Sequence, residues 1–161
     1  MQNEIKEKLE NIKVMFSNLA IECVLSFFQV QCTPKSPFQI LERLPGEFEH
    51  NIFLGNGNDT FQAVLAVGLS DKDAKGFVEF QGEEDLLDIF GELANVYCGM
   101  LMDQNDFTSY FGILTQAVPQ YTAKQVFYPK AFACAGELMN KNGDVFSIGY
   151  AIRKLNFMQF T

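Results

Sequence analysis

From Asn3 to Gln29 the chain runs without a proline or a glycine, while Ile5, Leu9, Ile12, Phe16, Leu19 and Cys23 recur at three- and four-residue steps. That spacing follows the helical period and predicts one long helix with an apolar face. Its second half, LAIECVLSFF, is apolar nearly all round and predicts burial. Pro34 and Pro37 end it, because proline lacks the backbone donor and disfavours helical geometry in the residue before it. The apolar run from Leu19 to Val30 is broken by Glu22, Ser26 and Gln29 and reads as too short to cross a bilayer, hence as a core helix. Such a helix needs a broad apolar surface to lie on, and a chain that is 48% hydrophobic with 17 Phe can supply one.

The surface comes from the segments that follow. Phe38 to Gly68 reads as extended chain: FQILERL as a strand, Pro45-Gly46 as a turn, then EHNIFLG and TFQAVLAVG on either side of GNGND. Glycine and asparagine tolerate positive φ, so GNGND predicts a hairpin. It lacks the third glycine and the following helix of a phosphate loop. Ser70 to Phe80 reads as a short helix or connector with Ser70 as N-cap, and about Glu83 to Asp103 as a second long helix. Beyond Asn105 the chain turns extended again through FTSYFGILTQAVP, a region from Lys124 to Met139, the turn NKNGD and the alternating strand VFSIGYAIRKL. Both halves thus read as a helix followed by strands, a hint of internal duplication. The economical fold for residues 1–161 is a single α+β domain. It has a mixed, largely antiparallel sheet and two long helices packed on one face.

Charge narrows the function classes. Twelve Lys+Arg against 20 Asp+Glu give a net charge of −8, which disfavours nucleic acid and anionic membranes and suits a partner with exposed basic residues. Cys23, Cys32, Cys98 and Cys134 show no metal spacing, so with His50 as the sole histidine a zinc site is not expected. The thiols read as buried in a reducing, cytoplasmic compartment, and His50 as a surface residue rather than a catalyst. The N-terminus, NEIKEKLENIK, is amphipathic and mixed in charge, unlike a signal peptide.

The second long helix carries the informative pattern, DIFGELANVYCGML. With Asp88 as zero and the helical period of about 100° per residue, Glu92 falls at about 40° and Asn95 near −20°. Leu86, Phe90, Leu93, Tyr97 and Leu101 gather on the opposite side, so an Asp/Glu/Asn stripe faces outward. Gly99 lands on the same stripe, where it costs about 1 kcal/mol of helix propensity and leaves the surface bare for another protein's backbone. A solvated acidic face would show the same stripe, and periodicity alone does not separate the two.

GELANVYCGML, followed by a strand and Ala117-Val118-Pro119, resembles the signature of the CheC/CheX/FliY chemotaxis phosphatases. Asp88, Glu92, Asn95 and Pro119 match its residue types in order. Met15 stands three residues before Asn18 on the first helix, where some relatives carry a second Glu/Asn pair, so the resemblance is to a single-site, CheX-like member. It implies a phosphatase acting on the aspartyl phosphate of a CheY-like receiver, or, in a rival reading, a non-catalytic module docking a receiver or flagellar partner. Asn95 would position the attacking water, Glu92 would pair with a receiver lysine, and Asp88 and Gly99 would contact the partner. The partner would hold Mg2+, with no cofactor in this chain. A small-ligand sensor using the Phe-rich interior is a third reading. The resemblance and the long strand VFSIGYAIRKL also point to a homodimer joined through sheet edges, with the stripe left free.

Overall fold

The computed structural model describes residues 2–155. Helix α1 (Gln2–Phe28) is followed by short strands β1 (Cys32–Pro34) and β2 (Gln39–Leu41) and by the long hairpin β3 (His50–Gly57) and β4 (Phe61–Leu69). The second half runs α2 (Asp71–Lys75), α3 (Glu83–Met102), α4 (Asn105–Phe111), β5 (Thr115–Gln116), β6 (Gln120–Thr122), β7 (Phe132–Asn140) and β8 (Val145–Lys154). The strands form one sheet in the order β1-β7-β8-β4-β3-β5, with β2 also on β7 and β6 also on β3, and every pairing is antiparallel.

That order has a near two-fold pattern about the β8–β4 pair. Each half contributes a long helix, two short strands and a long hairpin, and each half's short strands pair with the other half's hairpin. The duplication hinted at by the sequence is therefore visible in topology. Even the prolines correspond: Pro37 lies between β1 and β2, and Pro119 lies between β5 and β6.

Helices α1 and α3 pack side by side on one sheet face. Leu9, Phe16, Ala20, Cys23 and Val24 of α1 and Leu86, Phe90, Leu93, Tyr97 and Leu101 of α3 share a core with Ile52, Leu54, Leu65, Phe146, Ile148 and Tyr150 of the strands. The Tyr97 hydroxyl donates to the Phe16 carbonyl at 2.9 Å, so the buried phenol is satisfied and cross-links the helices. By length and composition α1 does contain a stretch (Glu4–Phe28) sufficient to cross a membrane, contrary to the reading from Leu19–Val30 alone. Its apolar face is the one spent on this core. Burial pushes the thiols of Cys23, Cys98 and Cys134 up to about 12 and that of Cys32 to about 11, so all are protonated at neutral pH.

Three expectations are corrected. VFSIGYAIRKL is not an edge strand: as β8 it pairs with β7 on one side and β4 on the other, which removes the physical motive for edge-to-edge dimerisation through it. The sheet ends instead in short strands of two or three residues. The start of FTSYFGILTQAVP is helical, because Phe107 and Phe111, four residues apart, both enter the core and Gly112 then breaks the helix at φ +78°. Within FQILERL only Gln39–Leu41 pairs, and within Lys124–Met139 pairing begins at Phe132.

Candidate functional site

Helix α3 opens with Glu83, Glu84 and Asp85 in its first turn, where negative charge complements the unpaired N–H groups, and the Gln81 N–H donates to Asp85 Oδ2 at 2.8 Å. One face is fixed by the core. The opposite face presents Asp88 and Glu92 exposed and Asn95 and Gly99 half-buried, so the predicted residues do share one stripe. Among the described residues, the side chains of Asp88, Glu92 and Asn95 make no hydrogen bond or ion pair. Polar groups left free on a helix whose apolar side is fully engaged are available to an outside partner.

A wall runs beside this stripe, and sequence reasoning missed most of it. The segment from Leu114 to Pro119 passes antiparallel to α3 and touches it at three heights. The Leu114 N–H lies 3.2 Å from Met102 Sδ, Gln116 Nε2 donates to the Asn95 carbonyl at 3.3 Å, and Pro119 packs on Gly91. A Cβ on Gly91 would stand 3.0 Å from the Pro119 Cβ, tighter than ordinary contact. Gly91 therefore admits the proline, while Ala117 N–H donates to the Gly55 carbonyl at 2.8 Å and holds the wall to the sheet. Gly99 differs: a Cβ there would meet nothing within 4 Å, so no internal packing requires the glycine. Val96 of α3 and Val118 of the wall are exposed at 38% and 74%. No local signal in the sequence marked Gly91, because its contact is with a proline 28 residues away.

At the far end of the wall, His50, expected on the surface, is half-buried and bonded on both ring nitrogens. Its Nε2 is hydrogen-bonded to Asp71 Oδ1 at 2.9 Å and its Nδ1 to the Tyr121 hydroxyl at 2.7 Å. The bridge ties β3 to α2 and to β6, two residues past Pro119. Bonds from His50 and from Lys75 hold the Asp71 carboxyl below the usual carboxylate range.

Sequence comparison adds no assignment, since no family model and no curated protein matches the chain. Structure comparison does. CheX from Desulfovibrio desulfuricans superposes with a TM-score of 0.71 at 14% identity, covering 89% of this chain and 99% of that one. The fold is that of CheX and the CheC-like proteins. A CheC-like superfamily protein from Shewanella sp. PV-4 gives 0.67 at 11% identity over 86% of this chain and 94% of that one. CheX in the CheX–CheY–BeF3–Mg2+ complex from Borrelia burgdorferi gives 0.61 at 12% identity over 86% and 95%. The CheX-like fold thus spans 86–89% of the chain.

The near two-fold pattern also shows what the first half lacks. Setting Asn18 of α1 against Asn95 of α3 places Met15 against Glu92, Val14 against Gly91 and Glu22 against Gly99. Val14 is 66% exposed, with no glycine notch for a proline beside it. A Glu/Asn pair with its glycine occurs on α3 alone.

Proposed function

We propose that this chain is a CheX-like phosphatase acting on the aspartyl phosphate of a CheY-like receiver. The observation that carries the reading is the free Asp88–Glu92–Asn95 stripe on α3, flanked by the Pro119 wall and built on a CheX-like fold. An acyl phosphate is already activated, so hydrolysis needs mainly a water held in line with phosphorus. The Asn95 carboxamide can hold such a water, because its oxygen accepts from the water while its NH2 remains free to donate to the phosphoryl group.

Glu92, three residues earlier on the same face, pairs with a lysine of the receiver and sets the register of docking. Asp88 contacts the rim, and bare Gly99 lets the partner's backbone approach. The receiver holds Mg2+ beside the phosphoryl group. The complex of CheX with CheY among the structural neighbours supports a partner of this kind. The experiment is the lifetime of phosphorylated receivers from the same genome with and without the chain. A shortened lifetime supports the enzyme. Binding with an unchanged lifetime identifies a non-catalytic docking module.

A further inference from the structure

Asn95 can position a water only if the helix turn that carries it is itself held at a fixed height above the bound phosphoryl group. On most of its length α3 is fixed from below by its apolar face, but the stripe side faces solvent and has no such support. Gln116 supplies the exception. Its Nε2 reaches the Asn95 main-chain carbonyl at 3.3 Å, from a strand residue paired with Asn56 of β3. Asn56 is itself buried, with its Oδ1 accepting from the Tyr150 hydroxyl at 3.0 Å, so Gln116 is anchored to a rigid part of the sheet. One turn away, Pro119 on Gly91 makes a further contact between the same wall and the same helix.

We propose that Gln116 is a positioning residue for Asn95: its amide tethers the helix turn to β5 and so sets where the Asn95 carboxamide stands relative to a docked phosphoryl group. The inference rests on the phosphatase reading above. A main-chain carbonyl in a helix has two lone pairs, of which the ladder uses one, so it accepts the Gln116 N–H without breaking the helix. Nothing about Gln116 binds the receiver's lysine, so its removal acts on the chemical step rather than on docking.

The test is Gln116→Met, which keeps the length of the side chain and removes both amide groups, with Gln116→Glu as a second variant that keeps shape but cannot donate when ionised. The maximal dephosphorylation rate of a CheY-like receiver should fall about tenfold in both, as expected for a misplaced catalytic amide. The receiver concentration giving half-maximal rate should stay within about twofold, since no interaction common to ground and transition states is lost. The Asn95 side-chain amide resonance in a 15N correlation spectrum, assigned by its absence in Asn95→Ala, should shift in Gln116→Met. An unchanged maximal rate together with an unmoved Asn95 resonance overturns the proposal, as does a loss confined to the half-saturating concentration. Should the wild-type chain shorten no receiver's phosphate lifetime, the phosphatase reading falls by itself. The Asn95 resonance then decides whether Gln116 holds Asn95.

Discussion

Pro119 rests on Gly91 so closely that a single added carbon on the glycine would meet the proline ring at 3.0 Å. The contact joins two sequence features 28 residues apart, a helix glycine and a loop proline, into one wall-and-stripe arrangement. It also gives the two glycines of α3 different jobs, buried Gly91 an internal one and half-buried Gly99 an external one.

Opposite stability effects follow at these glycines. Gly99→Ala should raise stability by up to about 1 kcal/mol, because alanine is the better helix former and nothing obstructs its methyl. Gly91→Val should lower it by about 1–3 kcal/mol, since the branched side chain must displace Pro119. Urea denaturation of both variants checks the pair. If Gly99→Ala also weakens receiver binding, that loss reports the partner's approach rather than folding.

Glu92 provides an electrostatic test. Glu92→Lys should weaken receiver binding more than Glu92→Gln, because it sets like charge against the receiver's lysine, and wild-type affinity should fall as salt is added. Titration of each variant at two ionic strengths measures this. Equal affinities for all three proteins, independent of salt, would remove the ion-pair model.

The His50–Asp71 bridge carries a pH signature. The folded-state pKa of Asp71 is lowered, so its contribution to stability is present above the ordinary carboxylate value and lost as pH falls through the lowered one. Stability of the wild type relative to Asp71→Asn should therefore decline on acidification below about pH 4, where unperturbed carboxylates begin to protonate. Thermal melts of both proteins across that range decide it. A stability difference that does not change with pH would show that Asp71 does not gain from the bridge.

The sequence made the two long helices and the Asp88–Glu92–Asn95 stripe legible because helical periodicity is local and strong. α1 and α3 ended within a residue of their expected limits. The Ser70 cap was legible because it too is local, Ser70 accepting from the Asp73 N–H; the GNGND hairpin formed as expected but without the positive φ that suggested it, Asn58 Oδ1 instead accepting from the Thr60 and Phe61 N–H groups. What failed was non-local. Whether VFSIGYAIRKL lies at an edge or the centre depends on which strands cross over, and alternation reads alike in both places. α4 was missed because seven residues are too few to show a period. The wall stayed hidden because neither Gly91 nor Gln116 has a local pattern. Each acquires its role only when β5 and β6 fold back along α3.

If Asn95 performs chemistry rather than docking, Asn95→Ala removes hydrolysis and leaves binding intact. The side chain is half-buried, fills no core volume and makes no hydrogen bond among the described residues, so the variant should keep its thermal midpoint and its receiver affinity. The measurement is the decay of a phosphorylated CheY-like receiver under saturating amounts of wild type or variant. Wild type should shorten the phosphate lifetime, and the variant should return it to the receiver's own rate. A variant that binds and dephosphorylates as fast as wild type would contradict a chemical role for Asn95.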